Sequence, residues 1–423
     1  MLAGRYRWVI CALLFAATAI NYVDRQIIGI LKPTLQHEYL WTEADFAAIV
    51  FWFQAAYAVG YLASGRLIDA IGARLGFALV VIFWTTAHVA HALVGSLSGF
   101  IVARIALGLG EAGNFPAGLK AVAEWFPLRE RALANGIFTA GSNIGAIVTP
   151  LIVPIIALRW GWRLSFVITG TLSVVWLIFW LRSYRRPQDH PRVRPEELHL
   201  IEEGGAATQG SLPLSWGRLL CVRETWAYAG ARFLIDPIWW MFLFWLPDFF
   251  AKRYGLDLAH FGPPLIAVYL ISDGGSIAGG WMSSRLLRRG ASLNAARKLT
   301  LLVAAILALP VLYAMHASAL WVAVGIVGLA TAGHQAFSVN LYTFPSDVFP
   351  KPAVATVVGI GGTAGAVGGM LMSKYAGFVL DRFGTYTPIF VVAGFAYLFA
   401  LVVFHLLSPR LAPVAPLGEL RAG

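Results

Sequence analysis

The sequence predicts an all-α membrane protein with twelve transmembrane helices in two six-helix bundles. Three observations point there. Of the 423 residues, 59% are hydrophobic and 13% charged, whereas soluble domains carry about a quarter charged residues. The apolar residues fall into runs close to the ~20 residues that cross a bilayer as a helix. The basic residues give a formal net charge of +11, and they gather in every second loop between those runs, the pattern that orients a chain in a membrane. This distribution argues against the nucleic-acid reading that the net charge alone invites. Cys11 in an apolar run and Cys221 in a polar loop form no disulfide framework.

The first run covers 8–31. Arg5 and Arg7 ahead of it, and Ala17-Thr18-Ala19 within it, imitate a signal peptide. The run continues past that point and many spans follow, so this helix is expected to stay uncleaved. Runs at 45–67, 75–95, 97–118, 132–155 and 163–183 complete a first half, and runs at 225–250, 261–286, 298–315, 319–343, 353–379 and 385–407 make a second. The polar connection between them holds a short acidic helix, Glu196-Glu197-Leu198 to Glu202-Glu203, read as part of a plain linker. The expected division is therefore an N-terminal bundle over 1–184, a cytoplasmic linker over 185–223, and a second bundle with a short cytoplasmic tail over 224–423.

Loop charges set the orientation. Arg5, Arg7, Arg66, Arg74, Lys120, Arg129, Arg131 and the arginines of the linker share one side with both termini; Lys32, Arg159, Arg163, Lys252, Arg253, Lys374 and Arg382 lie on the other. Both termini are expected in the cytoplasm. The stretch from Gly65 through Asp69 and Gly72 to Arg74 is echoed from Gly280 to Gly290, and such repeats suit a carrier whose halves rock about a central site. A third match, Gly377 to Gly384 with Asp381, falls on the outer side and is discounted.

Charges inside spans are costly, about 2.5–3.5 kcal/mol each at the centre, so those retained are candidates for function. In span one, Tyr22, Arg25 and Gln26 share a face and Asp24 points about 100° away. In span four, Arg104 and Glu111 lie two turns apart on one face. Guanidinium offers a carboxylate two parallel donors. The four charges sum to zero. A bound anion leaves net −1, and protonating Asp24 or Glu111 restores neutrality and frees an arginine, which is the logic of proton symport; Na⁺ would satisfy the same arithmetic. Gln54, Tyr57 and Tyr61 in span two, and Thr139, Ser142 and Asn143 in span five, offer polar groups for a polyol. Span seven carries Arg232, Asp236, Trp239 and Trp240 around Pro237, expected to kink the helix, with the indoles as a stacking platform for a sugar ring and Arg232–Asp236 as an internal pair. Asp273 in span eight is a second candidate proton carrier. Span ten adds His334, Gln335, Asn340 and Tyr342. The glycine runs over 108–118 and 359–369 lack a preceding strand and a Walker lysine, and read as close helix packing.

Several motifs then carry a resemblance. The six-plus-six spans with Gly65-Arg66-Leu67-Ile68-Asp69 through Gly72 resemble the major facilitator superfamily. Asn21-Tyr22-Val23-Asp24-Arg25, Arg104 with Gly108-Leu109-Gly110-Glu111, and Glu124-Trp125-Phe126-Pro127 with Glu130-Arg131 resemble its anion:cation symporters. Asp236-Pro237-Ile238-Trp239-Trp240 and the His334 to Gly362 stretch resemble bacterial hexuronate transporters. The resemblance implies substrate contacts at Tyr57 and Ser142, with Ser142-Asn143 standing where a galactonate-type relative has glutamine. It also implies a cytoplasmic gate at Asp69 and Arg74, with Asp69 capping the start of span eleven. The expected function is uptake of a sugar acid, a hexuronate such as glucuronate or galacturonate, by proton-coupled alternating access in the inner membrane. The substrate residues are Tyr22, Arg25, Tyr57, Arg104, Ser142, Asn143, Trp239, Trp240, Gln335, Asn340 and Tyr342, and the proton carriers Asp24 and Glu111. Another organic anion as substrate is the main rival; a membrane-embedded enzyme or receptor finds no nucleophile or metal cluster to support it. No cofactor, catalytic residue, metal or nucleic acid is expected, and the carrier is read as a monomer.

Overall fold

A computed structural model of the chain describes residues 6–203 and 216–414, leaving aside the side chains at 62, 66, 69, 128, 129, 132, 202, 203, 216, 351, 352 and 355. All regular structure among the described residues is helical. In order these are α1 (Tyr6–Tyr39), α2 (Glu43–Ile71), α3 (Ala73–Ala90), α4 (Leu97–Glu111), α5 (Asn114–Trp125), α6 (Leu128–Trp160), α7 (Trp162–Ser183), α8 (Pro195–Glu203), α9 (Trp216–Leu220), α10 (Arg223–Tyr254), α11 (Gly262–Arg288), α12 (Leu293–Ala308), α13 (Leu320–Val348), α14 (Lys351–Phe383) and α15 (Thr387–Leu407). Eleven helical stretches are long and apolar enough to cross a membrane; α4 followed by α5 makes the twelfth span.

That span is broken at Ala112-Gly113, where the sequence predicts one helix over 97–118. The break follows from packing. A Cβ at Gly108 would lie 2.4 Å from the Phe53 carbonyl oxygen, so glycine is what lets α4 press against α2, and a run of glycines holds a helix weakly. Span nine also changes character: after α12 the chain continues as 3₁₀ turns over Leu309–His316, because Pro310 has no N–H to extend the α-helical ladder. The echo between the halves is geometric. Gly72 between α2 and α3 has φ +84°, and Gly290 between α11 and α12 has φ +87°, left-handed turns that favour glycine.

Two compact units emerge: Met1–Leu31 with Trp52–Ser211, and Lys32–Phe51 with Leu212–Gly423. This differs from the boundary read in the sequence, since the last turns of α1 and the first turns of α2 belong with the second half. In the first unit, α6 seats on α1 through Gly141 and Gly145, the latter against Ala19 and Tyr22. The linker helix α8 is docked as well. Glu197 accepts from the backbone N–H groups of Tyr6 and Arg7, 3.1 Å each, and from Arg7 Nη1 at 3.0 Å. It thereby caps the first turn of α1, whose amides have no partner within the helix. Arg7 Nε also donates to Glu130 at 2.8 Å.

In the second unit the start of α2 is capped twice over. Thr42 and Asp45 form a reciprocal capping box, with Asp45 N–H donating to Thr42 Oγ1 at 3.1 Å and Thr42 N–H to Asp45 Oδ2 at 2.9 Å. Asp381, in the motif set aside from sequence, accepts from the N–H groups of Glu43 and Ala44 at 2.9 and 2.8 Å.

Candidate substrate site

In the first unit the span-one motif meets α2 and α4. Arg25 Nε donates to Glu111 Oε2 at 2.8 Å, and Arg25 Nη2 to Asn21 Oδ1 at 3.0 Å. Its guanidinium carbon lies 4.8 Å from the ring centroids of both Tyr22 and Tyr57 and 5.8 Å from that of Phe53. Arg104 rests on the same Phe53 ring at 5.5 Å and donates from Nη1 to the Arg25 carbonyl at 3.4 Å. The two arginines therefore converge on one aromatic ring.

Their bonding is unequal. Arg104 is 1% exposed and Glu111 0%, yet Arg104 Nε and Nη2 and Glu111 Oε1 have no hydrogen-bond partner among the described residues. Leaving a buried donor or acceptor unmet costs about 1–3 kcal/mol, and more when it is charged.

Asp24 does point away from Arg25. It faces α3 and α7: His88 Nε2 is 3.2 Å from its Oδ1, and Ser173 Oγ donates to its Oδ2 at 3.4 Å. Ser142 and Asn143 sit on α6 between the two glycines that hold it to α1, both half-buried. The Ser142 hydroxyl donates to the Thr139 carbonyl at 2.7 Å.

In the second unit, Trp239 stacks on His334 with ring centroids 5.2 Å apart and meets the Tyr269 ring edge-on at 6.3 Å. His334 is held by the Tyr397 hydroxyl at 3.0 Å and by Ser338 at 3.2 Å. Trp240 stacks on Phe244 at 5.9 Å. Arg232 donates from Nε and Nη2 to Asp236 Oδ2, each at 2.6 Å, the internal pair expected from the spacing. Tyr342 lies over the Arg232 guanidinium at 4.5 Å and donates to Asp236 Oδ1 at 3.5 Å. Despite Pro237 and Pro247, α10 runs continuously through Tyr254. Gln335 is half-buried one position along from His334.

Asn340 does not join these groups, which corrects the sequence expectation. Its amide donates to the Gly279 and Ala336 carbonyls at 3.2 and 2.9 Å, and its oxygen accepts from Arg297 Nη1 at 3.2 Å. Both ends of the side chain are spent on holding α11 and α12 to α13, so Asn340 is withdrawn from the substrate residues.

A second charge cluster lies elsewhere in this unit. Lys32 donates to Glu43 Oε2 at 2.6 Å and to Asp248 Oδ2 at 2.8 Å. Lys252 bonds the same two carboxylates, Asp248 at 3.1 Å and Glu43 more closely. Tyr386 donates to Asp248, and Gln36 to Glu43 at 3.1 Å. The four charges form a closed, neutral ring.

The profile of the Major Facilitator Superfamily matches residues 14–373. The chain belongs to the major facilitator superfamily. Several relatives extend the resemblance. The hexuronate transporter of Escherichia coli (strain K12) is 34% identical over 410 residues, covering 96% of this chain and 94% of its own. The galacturonate transporter of Dickeya chrysanthemi is 35% identical over 279 residues, 65% of this chain and 81% of its own. A D-galactonate transporter of Escherichia coli O6:H1 is 25% identical over 411 residues, 94% of this chain and 95% of its own. Among solved structures, an inward-facing, occupied bacterial homolog of the human lysosomal transporter Spinster superposes with a TM-score of 0.74 at 17% identity, covering 96% of this chain and 97% of that one. The last likeness bears on the fold alone.

This facilitator is thus a multi-pass membrane transporter and not an enzyme. Of the two residues expected at its cytoplasmic gate, the Asp69 side chain lies outside the described residues. Arg74 donates to the Leu181 carbonyl at 2.7 Å, and its own carbonyl accepts from Trp180 Nε1 at 3.0 Å, tying the start of α3 to the end of α7. Sequence reading missed His88, Ser173 and the charge ring. A histidine alone in an apolar span, or a lysine at the end of one, carries no signal until its neighbours on other helices are known.

Proposed function

We propose that this facilitator imports a sugar acid in symport with protons by alternating access, with a hexuronate such as glucuronate or galacturonate as substrate. It works as a monomer in the inner membrane with both termini in the cytoplasm. The observation that carries this reading is Arg104: a fully buried guanidinium with Nε and Nη2 unmet, which is the donor pair a planar carboxylate takes up. The names of the curated relatives support the sugar-acid class.

The charges supply the coupling. Arg25 is already engaged by Glu111. Protonating Glu111 releases Arg25 Nε, so two guanidiniums face one substrate anion and the buried charge stays balanced. Asp24 is the second carboxylate of the balance. Tyr22 and Tyr57, whose rings lie against Arg25, and Ser142 and Asn143 on α6 offer hydroxyls and an amide to the sugar. In the second unit, the indoles of Trp239 and Trp240 suit the apolar face of a pyranose, with Gln335 and Tyr342 as polar neighbours.

Uptake of labelled glucuronate and galacturonate into proteoliposomes tests this. An inward proton gradient should raise the initial rate severalfold, and a protonophore should abolish the stimulation. Equal uptake with and without the gradient would remove proton symport; failure of either uronate to compete would remove the hexuronate assignment.

A further inference from the structure

The contact that Asp24 makes with α3 and α7 has no part in the clamp, and it is where a buried titratable side chain stands beside a proposed proton carrier. His88 is 0% exposed. Its Nε2 lies 2.8 Å from Thr169 Oγ1 and 3.2 Å from Asp24 Oδ1. The Thr169 hydroxyl donates back to the Ser165 carbonyl at 2.8 Å, so it accepts from His88, and Nε2 carries the ring proton in this arrangement. Nδ1 of His88 and Oδ1 of Asp24 have no hydrogen-bond partner among the described residues. One N–H is thus poised between two oxygens, a neutral hydroxyl and a carboxyl. Ser173 holds the other carboxyl oxygen at 3.4 Å, itself accepting from Trp84 Nε1 at 3.3 Å.

We propose that His88 is the positioning residue for Asp24: with Ser173 it turns the carboxyl away from Arg25, and its Nε2–H passes from Thr169 to Asp24 when that carboxyl gives up its proton. Asp24 then exchanges its proton as half of an Asp24–His88 pair, independent of whether Arg25 is held by Glu111 or by substrate. The other titratable and charged groups facing the pair are His91 on α3, whose ring centroid is 6.3 Å from that of His88, and Arg104 and Glu111 on α4. α7 contributes the hydroxyls of Thr169 and Ser173. His91 Nδ1 donates to the Ala87 carbonyl at 2.9 Å, which places a proton on that ring nitrogen.

The proposal rests on the proton-coupling role given above to Asp24, and the test separates the two. The pH dependence of uptake is compared among the parent, His88→Leu, His88→Gln and Asp24→Asn, with substrate counterflow, which needs no net proton movement, reporting a folded carrier. Loss of the N–H that steadies the ionised carboxylate should move the pH of half-maximal uptake of His88→Leu up by about one unit. His88→Gln, which keeps an N–H near the Nε2 position, should return it to near the parental value. If His88→Leu shows no counterflow, His88→Asn, polar but too short to reach Asp24, takes its place with the same expected shift. A profile for the histidine variant that superimposes on the parent, while Asp24→Asn alters its own, overturns the proposal. An unaltered Asp24→Asn profile removes Asp24 from coupling and the proposal with it.

Discussion

Two clusters in this facilitator each bring together two basic and two acidic side chains, and they are bonded in opposite ways. In the ring of the second unit, Lys32 and Lys252 each bond both Glu43 and Asp248, and Tyr386 and Gln36 add further donors. In the first unit, Arg25 holds one oxygen of Glu111, Asp24 turns to His88, and Arg104 has no carboxylate at all within bonding distance among the described residues. A saturated ring has nothing left to offer a ligand, so its role is to hold α1, α2 and α10 together. The unsaturated cluster is poorly satisfied by its own fold, which is what the proposed anion site requires. The count of charges is the same; what separates structure from function is the number of donors and acceptors left over.

The largest effect expected from breaking this contrast is on the ring. Lys32→Ala strands two buried carboxylates on one remaining lysine and should destabilise the carrier by about 3–5 kcal/mol, read as a large drop in the midpoint of thermal unfolding in detergent. An unchanged midpoint would mean the ring is not holding these helices. Next comes the clamp. Arg104→Lys keeps the charge but not the forked donors, so uptake should fall about a hundredfold, equivalent to about 2.7 kcal/mol, with the unfolding midpoint almost unmoved. Arg25→Lys should behave alike. Parental uptake rates in both variants would show that neither guanidinium binds the anion. The smallest effect falls outside both clusters. Glu197→Ala removes the cap from α1 and should cost about 1 kcal/mol, seen as faster proteolysis of the linker after α7, with uptake retained.

Much of the fold was legible because bilayer thickness imposes it. Runs near 20 apolar residues and alternating loop charge locate the spans with little help from tertiary contacts. The convergence of Arg25 and Arg104 was legible too, since each sits at a matched depth in its own span. The break at Ala112-Gly113 was not, because it is decided by how closely α4 approaches Phe53 and Trp84 and not by the glycines alone. The ring was invisible for a different reason. Lys32, Glu43 and Lys252 stand at the ends of apolar runs, where charge is normally solvated, and their pairing is made by three separate helices. Asn340 misled for the converse reason: a buried amide in a span reads as a ligand group unless the carbonyls that consume it are in view.

One feature of α1 has a mechanical consequence. The helix is continuous from Tyr6 to Tyr39, yet it passes from one unit to the other between Leu31 and Lys32. Pro33 lies inside it and, lacking an N–H, cannot bond the carbonyl of Gly29. The missing bond therefore spans the very residues over which the helix changes allegiance. In engineering language α1 is a rod with a notch: the turn over 29–33 has one backbone hydrogen bond fewer than the turns beside it.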